Sequence, residues 1–158
     1  MAKAIVIYYS RSGNTKQMAQ IIAKAMKESG LPTECKSVEK TKPDELLDYD
    51  AIVIGSPTYY GQMAGPIKQL FDNMVTWHGR LDGKVGAAFS SSANIGGGNE
   101  TTIMGIIEAM LIAGMIVSGD PQGDHYGPVS IGEPDERVQL QCQRRGTRIA
   151  ELTKKLYG

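Results

Sequence analysis

Apolar runs at residues 4–9 (Ala-Ile-Val-Ile-Tyr-Tyr) and 51–54 (Ala-Ile-Val-Ile), and a strand over 84–90 with Val85, Ala87, Ala88 and Phe89, constrain this chain most. Strands without polar alternation are buried on both faces, as in the middle of a parallel sheet covered by helices. Each run is followed by a loop rich in hydroxyl residues or glycine and then by an apolar pattern at helical spacing. The first helix is predicted over residues 14–29, with Met18, Ile21, Ile22 and Ala25 on one face, and it stops at Gly30. A short, polar edge strand is expected at 33–38 and a connector at 42–47. Further helices are expected after residue 66, over 100–113 and from about Asp135, and a fifth strand at 115–117. The last helix would place Val138, Cys142, Ile149, Leu152 and Leu156 on one face. Five strands alternating with helices predict a doubly wound α/β fold.

A chain of 158 residues is the size of one domain, so residues 1–158 are expected to form a single unit. Its 17 basic and 17 acidic side chains cancel, which argues against nucleic acid and anionic membrane surfaces as partners. No apolar run approaches a membrane span. The two cysteines, Cys35 and Cys142, lack metal or redox spacing and suit unpaired thiols in a reducing compartment. With no signal-peptide pattern at the start, a cytoplasmic location is expected.

In a doubly wound sheet, ligands sit beyond the carboxyl ends of the strands. Three loops should meet there. The first is Ser10-Arg11-Ser12-Gly13-Asn14-Thr15, between a strand and a helix N-terminus. Its hydroxyls and backbone N–H groups suit a phosphate monoester, and the helix dipole favours the anion. The same residues would also serve as a plain helix cap. The spacing excludes a Walker A loop, and the single glycine excludes a dinucleotide fingerprint. The second loop holds Ser56, Pro57, Thr58, Tyr59, Tyr60 and Gly61; its paired aromatics can stack on a flat ring or stand at the surface of a turn. The third, Ser91-Ser92-Ala93-Asn94-Ile95-Gly96, is uncharged and offers backbone donors for the polar edge of a heterocycle, or else is a flexible linker. Trp77 and His125 are candidates for a second pocket. No catalytic triad, carboxylate pair or metal-ligand cluster is present. An enzyme of this kind would rely on a cofactor for its chemistry.

Residues 10–15 resemble the FMN-phosphate loop of the flavodoxin-like family. Residues 56–63 (Ser-Pro-Thr-Tyr-Tyr-Gly-Gln-Met) and 97–102 (Gly-Gly-Asn-Glu-Thr-Thr) are similar to motifs of its WrbA-type NAD(P)H:quinone oxidoreductases. The likeness covers essentially the whole chain. It implies a five-stranded parallel sheet in the order 2-1-3-4-5 and FMN as cofactor, with no metal. It also implies that Ser10 to Thr15 hold the phosphate, that Pro57, Thr58, Tyr59, Tyr60 and Gly61 flank the ring, and that Ser91, Ser92, Ala93, Asn94, Ile95 and Gly96 contact its pyrimidine edge and ribityl chain. Trp77, with His125 and Tyr126, would border a substrate pocket. The expected activity is electron transfer from NAD(P)H to a quinone or similar acceptor, in a homodimer or homotetramer. A flavodoxin, carrying electrons without a small substrate, is the alternative. The family has histidine where this chain has Gly96 and Ala113.

Overall fold

The computed structural model describes all residues, 1–158. Strand β1 (Ala4–Tyr8) lies between β2 (Thr33–Ser37) and β3 (Ala51–Tyr59), and β3 pairs in turn with β5 (Val85–Ser92), all parallel. Two short strands, β6 (Ile116–Val117) and β7 (Val129–Ile131), both add in parallel to the far side of β5. The path across the sheet is β2-β1-β3-β5-β6. That is the predicted order, with the fifth strand in two pieces. Residues 118–128 leave the sheet between those pieces. A further strand, β4 (Gln62–Met63), folds back antiparallel on β3.

The helices divide between the two faces of the sheet. Helices α1 (Asn14–Glu28) and α4 (Glu136–Tyr157) bury Met18, Ile22, Cys142 and Ile149 against Val6, Val53 and Phe89. Helices α2 (Gly65–Asn73) and α3 (Asn99–Ile112) bury Ile67, Leu70, Ile103 and Met110 against Ile7, Ile52 and Ile54. Alternate residues of β1 and β3 thus feed opposite cores, which is why neither strand shows polar alternation. Gly146 of α4 lies so near Ile22 of α1 that a Cβ would meet its carbonyl, so the glycine sets how closely these helices approach. Gly55 plays the same part within the sheet. It pairs with Phe89 of β5, whose ring occupies the space of a Cβ.

Several boundaries differ from expectation. Strand β3 runs to Tyr59 and β5 to Ser92, so Ser56–Tyr59 and Ser91–Ser92 are strand rather than loop. The 119–134 segment contains β7. On α4, Leu156 is exposed, while Arg145 and Thr153 are buried in its place. Helix α3 is apolar on most faces because its own chain covers it: Ile103, Ile106, Ile107 and Met110 are buried, and only Leu111 and Ile112 at its end stand exposed. No helix is long and apolar enough to cross a membrane.

Candidate cofactor site

The three loops converge at the carboxyl ends of β1, β3 and β5. They enclose a cleft of about 360 Å³ whose lining includes Arg11, Ser12, Asn14 and Thr15 from the first, Pro57, Thr58 and Tyr59 from the second, and Ser91, Ser92 and Ala93 from the third. Gly132, just beyond β7, completes the wall. It carries no local signal in the sequence and enters only because β7 pairs with the end of β5.

The first loop is folded around Ser10. Its hydroxyl oxygen accepts the N–H of Gly13 at 3.1 Å and of Lys16 at 3.3 Å. Gly13 has φ near 102°, a left-handed conformation that turns the chain into α1. The N-cap residue, Gly13, has no side chain to cap the helix, and Ser10 takes only the Lys16 N–H of its first turn. The N–H groups of Arg11, Ser12, Asn14 and Thr15 accordingly have no partner within the protein. A helix start with this many free donors is a ready anion site, and the dipole adds to it. The residues present therefore fit a phosphate group. Of the loop's polar side chains only Ser10 caps the helix, at Lys16; Ser12, Asn14 and Thr15 make no bond to the helix end.

Hydroxyls join the loops at their bases. Thr15, buried, lies 2.8 Å from Ser91 through their hydroxyl oxygens. Thr58 is 3.0 Å from Ser90 and 3.2 Å from Thr102. Ser90 and Thr102, both fully buried, join the site from the expected fourth strand and the 97–102 motif; a polar residue beside an apolar run gives no signal of whether it faces solvent or a partner. Ser56 accepts the Ala64 N–H at 2.8 Å and so closes the second loop.

That second loop is a hairpin. Thr58 pairs with Met63 and Tyr59 with Gln62, leaving Tyr60 and Gly61 as a two-residue turn. Both have positive φ, near 51° and 75°, as a type I′ turn demands. Tyr60 is the one non-glycine residue in this conformation, and its side chain stands fully exposed at the tip. It does not line the cleft, whereas Tyr59 does, held edge-on by Tyr9 at 6.3 Å between ring centroids. The Gly61 carbonyl accepts a hydrogen bond from the Thr101 hydroxyl at 2.7 Å. Gly98 packs so closely on Gly61 that a Cβ there would strike its Cα. The turn is therefore anchored to the start of α3.

In the third loop, Ser92 donates to the Asn94 carbonyl at 3.0 Å, and Ile95 is almost wholly exposed. Asn94, Ile95 and Gly96 project beyond the cleft's wall. Ile95 and Gly96 instead line a second hollow of about 650 Å³, together with Asn99, Ile131, Asp135 and Arg137. The two hollows lie on either side of the same loop.

Trp77, His125 and Tyr126 are not brought to this site within the chain. Trp77 belongs to an apolar cavity between α2 and α3. His125 and Tyr126 lie in the 118–128 excursion, which α4 ties down. Arg144 makes two hydrogen bonds to Asp120, at 2.7 and 2.8 Å; Arg145 donates to the Ser118 carbonyl and Arg148 to that of Gly119; Arg137 pairs with Asp124. The bonds from Arg144 hold the Asp120 carboxyl down at about 2. His125 Nδ1 faces the Asp120 carbonyl at 2.8 Å and must carry the proton there. No cluster of metal ligands exists.

Residues 5–96 match the family described as flavodoxin domain. A protein of Aquifex aeolicus named flavodoxin is 38% identical over 161 residues, covering 96% of this chain and 86% of that one. An Archaeoglobus fulgidus protein named NAD(P)H dehydrogenase (quinone) is 33% identical over 190 residues, covering 99% of this chain and all of that one. Among solved structures, the flavodoxin, WrbA-like protein of Agrobacterium tumefaciens superposes with a TM-score of 0.85 at 20% identity, over 99% of each chain, a likeness of fold.

Proposed function

The chain belongs to the flavodoxin family, and from that premise we propose that it is an FMN-dependent oxidoreductase passing electrons from NAD(P)H to a quinone or similar acceptor, with residues 1–158 as one FMN-binding domain. The observation that carries the cofactor assignment is the set of free N–H groups at the start of α1, facing a cleft closed by two further loops. FMN, when bound, supplies the chemistry, accepting a hydride and passing the electron pair on.

The protein's part is to bind and orient. Ser10 shapes the loop, while Ser12, Thr15 and the N–H groups of Arg11, Ser12, Asn14 and Thr15 hold the phosphate. Pro57, Thr58 and Tyr59 flank the ring, with Gly61 setting the turn beside it. Ser91, Ser92 and Ala93 face its polar edge and ribityl chain. Tyr60, Asn94, Ile95 and Gly96 contribute from the rim of the site. The hollow beyond Ile95 and Gly96 leaves room for a second ligand next to the first.

Relatives named for quinone reduction support the enzyme, as does the zero net charge, since a carrier gains from a strong charge that steers it to partners. The Aquifex aeolicus relative favours the second reading, an electron carrier without a small substrate. Oxidation of NADH or NADPH by the purified FMN protein with benzoquinone separates the two; absence of turnover with both nicotinamides contradicts the enzyme.

The unpaired Cys35 and Cys142 are in keeping with a cytoplasmic location. Leu111, Ile112 and Val75, exposed together near the end of α3 and α2, support a homodimer or homotetramer. Sedimentation at high micromolar concentration should give an assembly of two or four chains, and a single species of 17.1 kDa contradicts it.

A further inference from the structure

The hollow across the third loop from the cofactor cleft has a volume of about 650 Å³, within the range of small-molecule sites. Its apolar wall is Ile95, Val129 and Ile131, and both isoleucines are exposed, so a flat base can lie against them. Its charges are three: Glu100 in the first turn of α3, and Asp135 and Arg137 at the start of α4.

Two of these three charges are already committed. The Asp135 carboxylate accepts the Val138 N–H at 2.9 Å and caps α4. Arg137 pairs with Asp124. The Asp124 side chain is only 8% exposed, and it also accepts the Val129 N–H at 3.0 Å. Drawing Arg137 away to a ligand would leave a buried carboxylate without its cation. The Glu100 side chain, by contrast, is exposed and makes neither an ion pair nor a hydrogen bond. A free carboxylate only accepts hydrogen bonds. It suits the neighbouring hydroxyls of an unmodified ribose, and its charge opposes a phosphate in the same place. The starts of α3 and α4 border the hollow as well, and their dipoles favour any phosphate. The diphosphate, however, is common to both nicotinamides and does not discriminate between them.

We propose that Glu100 selects the nicotinamide. The hollow takes the adenosine end of NADH, with the base against Ile131 and the ribose hydroxyls on Glu100, and it disfavours the extra 2′-phosphate of NADPH. This rests on the reading of the chain as an NAD(P)H-dependent enzyme and adds which of the two nicotinamides it uses.

The test is a titration of the ¹⁵N-labelled, FMN-loaded protein with NAD⁺ and, separately, NADP⁺, neither of which can reduce the flavin. Amide signals of Glu100, Val129 and Ile131 should shift saturably with NAD⁺. At low salt the dissociation constant for NADP⁺ should be about ten-fold higher, the scale of one added like-charge contact near a solvated surface. The ratio should shrink as salt is added, because both charges are exposed to screening. E100Q keeps an acceptor but loses the charge, and it should bring the two constants within about three-fold of each other. E100K should reverse the order. Equal constants in the unaltered protein would overturn the proposal, and so would tighter binding of NADP⁺ or a ratio that neither variant changes. If NADH and NADPH then both reduce the flavin, the enzyme reading stands without the selection. Absence of binding by either nicotinamide would overturn the proposal too; if neither reduced form bleaches the flavin, the enzyme reading falls with it.

Discussion

Thr15 stands where two loops join, its hydroxyl on Ser91 and its backbone N–H free at the start of α1. A hydroxyl pair holds two protons and shares one between its members, so one remains for a bound anion. In T15V that proton and the link to Ser91 go together, with little change of shape. A hydrogen bond to a charged group contributes roughly 1.5–3 kcal/mol, so the dissociation constant for FMN should rise about ten-fold or more. Flavin fluorescence quenching measures it, and an unchanged constant contradicts the phosphate assignment. Cys142 shows how far the interior differs from this polar edge: burial pushes its thiol up to about 12, which leaves it a small core side chain rather than a reactive group.

At the scale of elements, the excursion between β6 and β7 depends on α4. Asp120 is its buried anchor, gripped by Arg144 and close to Arg148. A carboxyl held at about 2 when folded, against about 3.9 when unfolded, stabilises the fold fully above the unfolded value. That contribution is lost as pH falls from about 4 towards 2. Amide protection in residues 118–128, relative to the intrinsic exchange rate at each pH, should therefore stay flat from neutral pH down to about 4 and fall below it. D120N should show the faster exchange already at neutral pH, with a cost of about 1–3 kcal/mol after allowance for the partly exposed Arg144. Protection in D120N equal to that of the unaltered protein would remove Asp120 from this role.

The same excursion marks where the sequence stops being readable. The strand order and the phosphate loop are local: an apolar run, a glycine that can turn left-handed, a helix with one apolar face. Strand ends at Ser56–Tyr59 and Ser91–Ser92 are not, because their hydroxyls look like loop residues until Thr58 is seen to bond Ser90 and Thr102, and Ser91 to bond Thr15. β7 has three residues and no pattern of its own. Tyr60 was expected against the ring, yet its place in a type I′ turn follows from strand register rather than from being aromatic. Trp77 lines a cavity apart from the three loops, and only the packing of α2 against α3 determines which one.

For the whole molecule, two ends of one sheet carry different surfaces: a polar cleft over the strand carboxyl ends and an apolar cavity near the other end. The central claim concerns the first, that the cleft holds FMN and passes electron pairs between two small substrates. The anchored Gly61 carbonyl bears on it directly. The Thr101 hydroxyl holds it at 2.7 Å and leaves its second lone pair open to a ring N–H, so a half-reduced flavin is the outcome the measurement has to exclude. The most direct measurement is anaerobic stopped-flow mixing of the FMN-loaded protein with NADH or NADPH, followed by benzoquinone. The account predicts that a nicotinamide bleaches the flavin fully in one step and that the quinone restores it, with ping-pong kinetics in steady state because both substrates use the same site. A persistent spectral band at half reduction, together with no oxidation of either nicotinamide, would contradict it and identify an electron carrier instead.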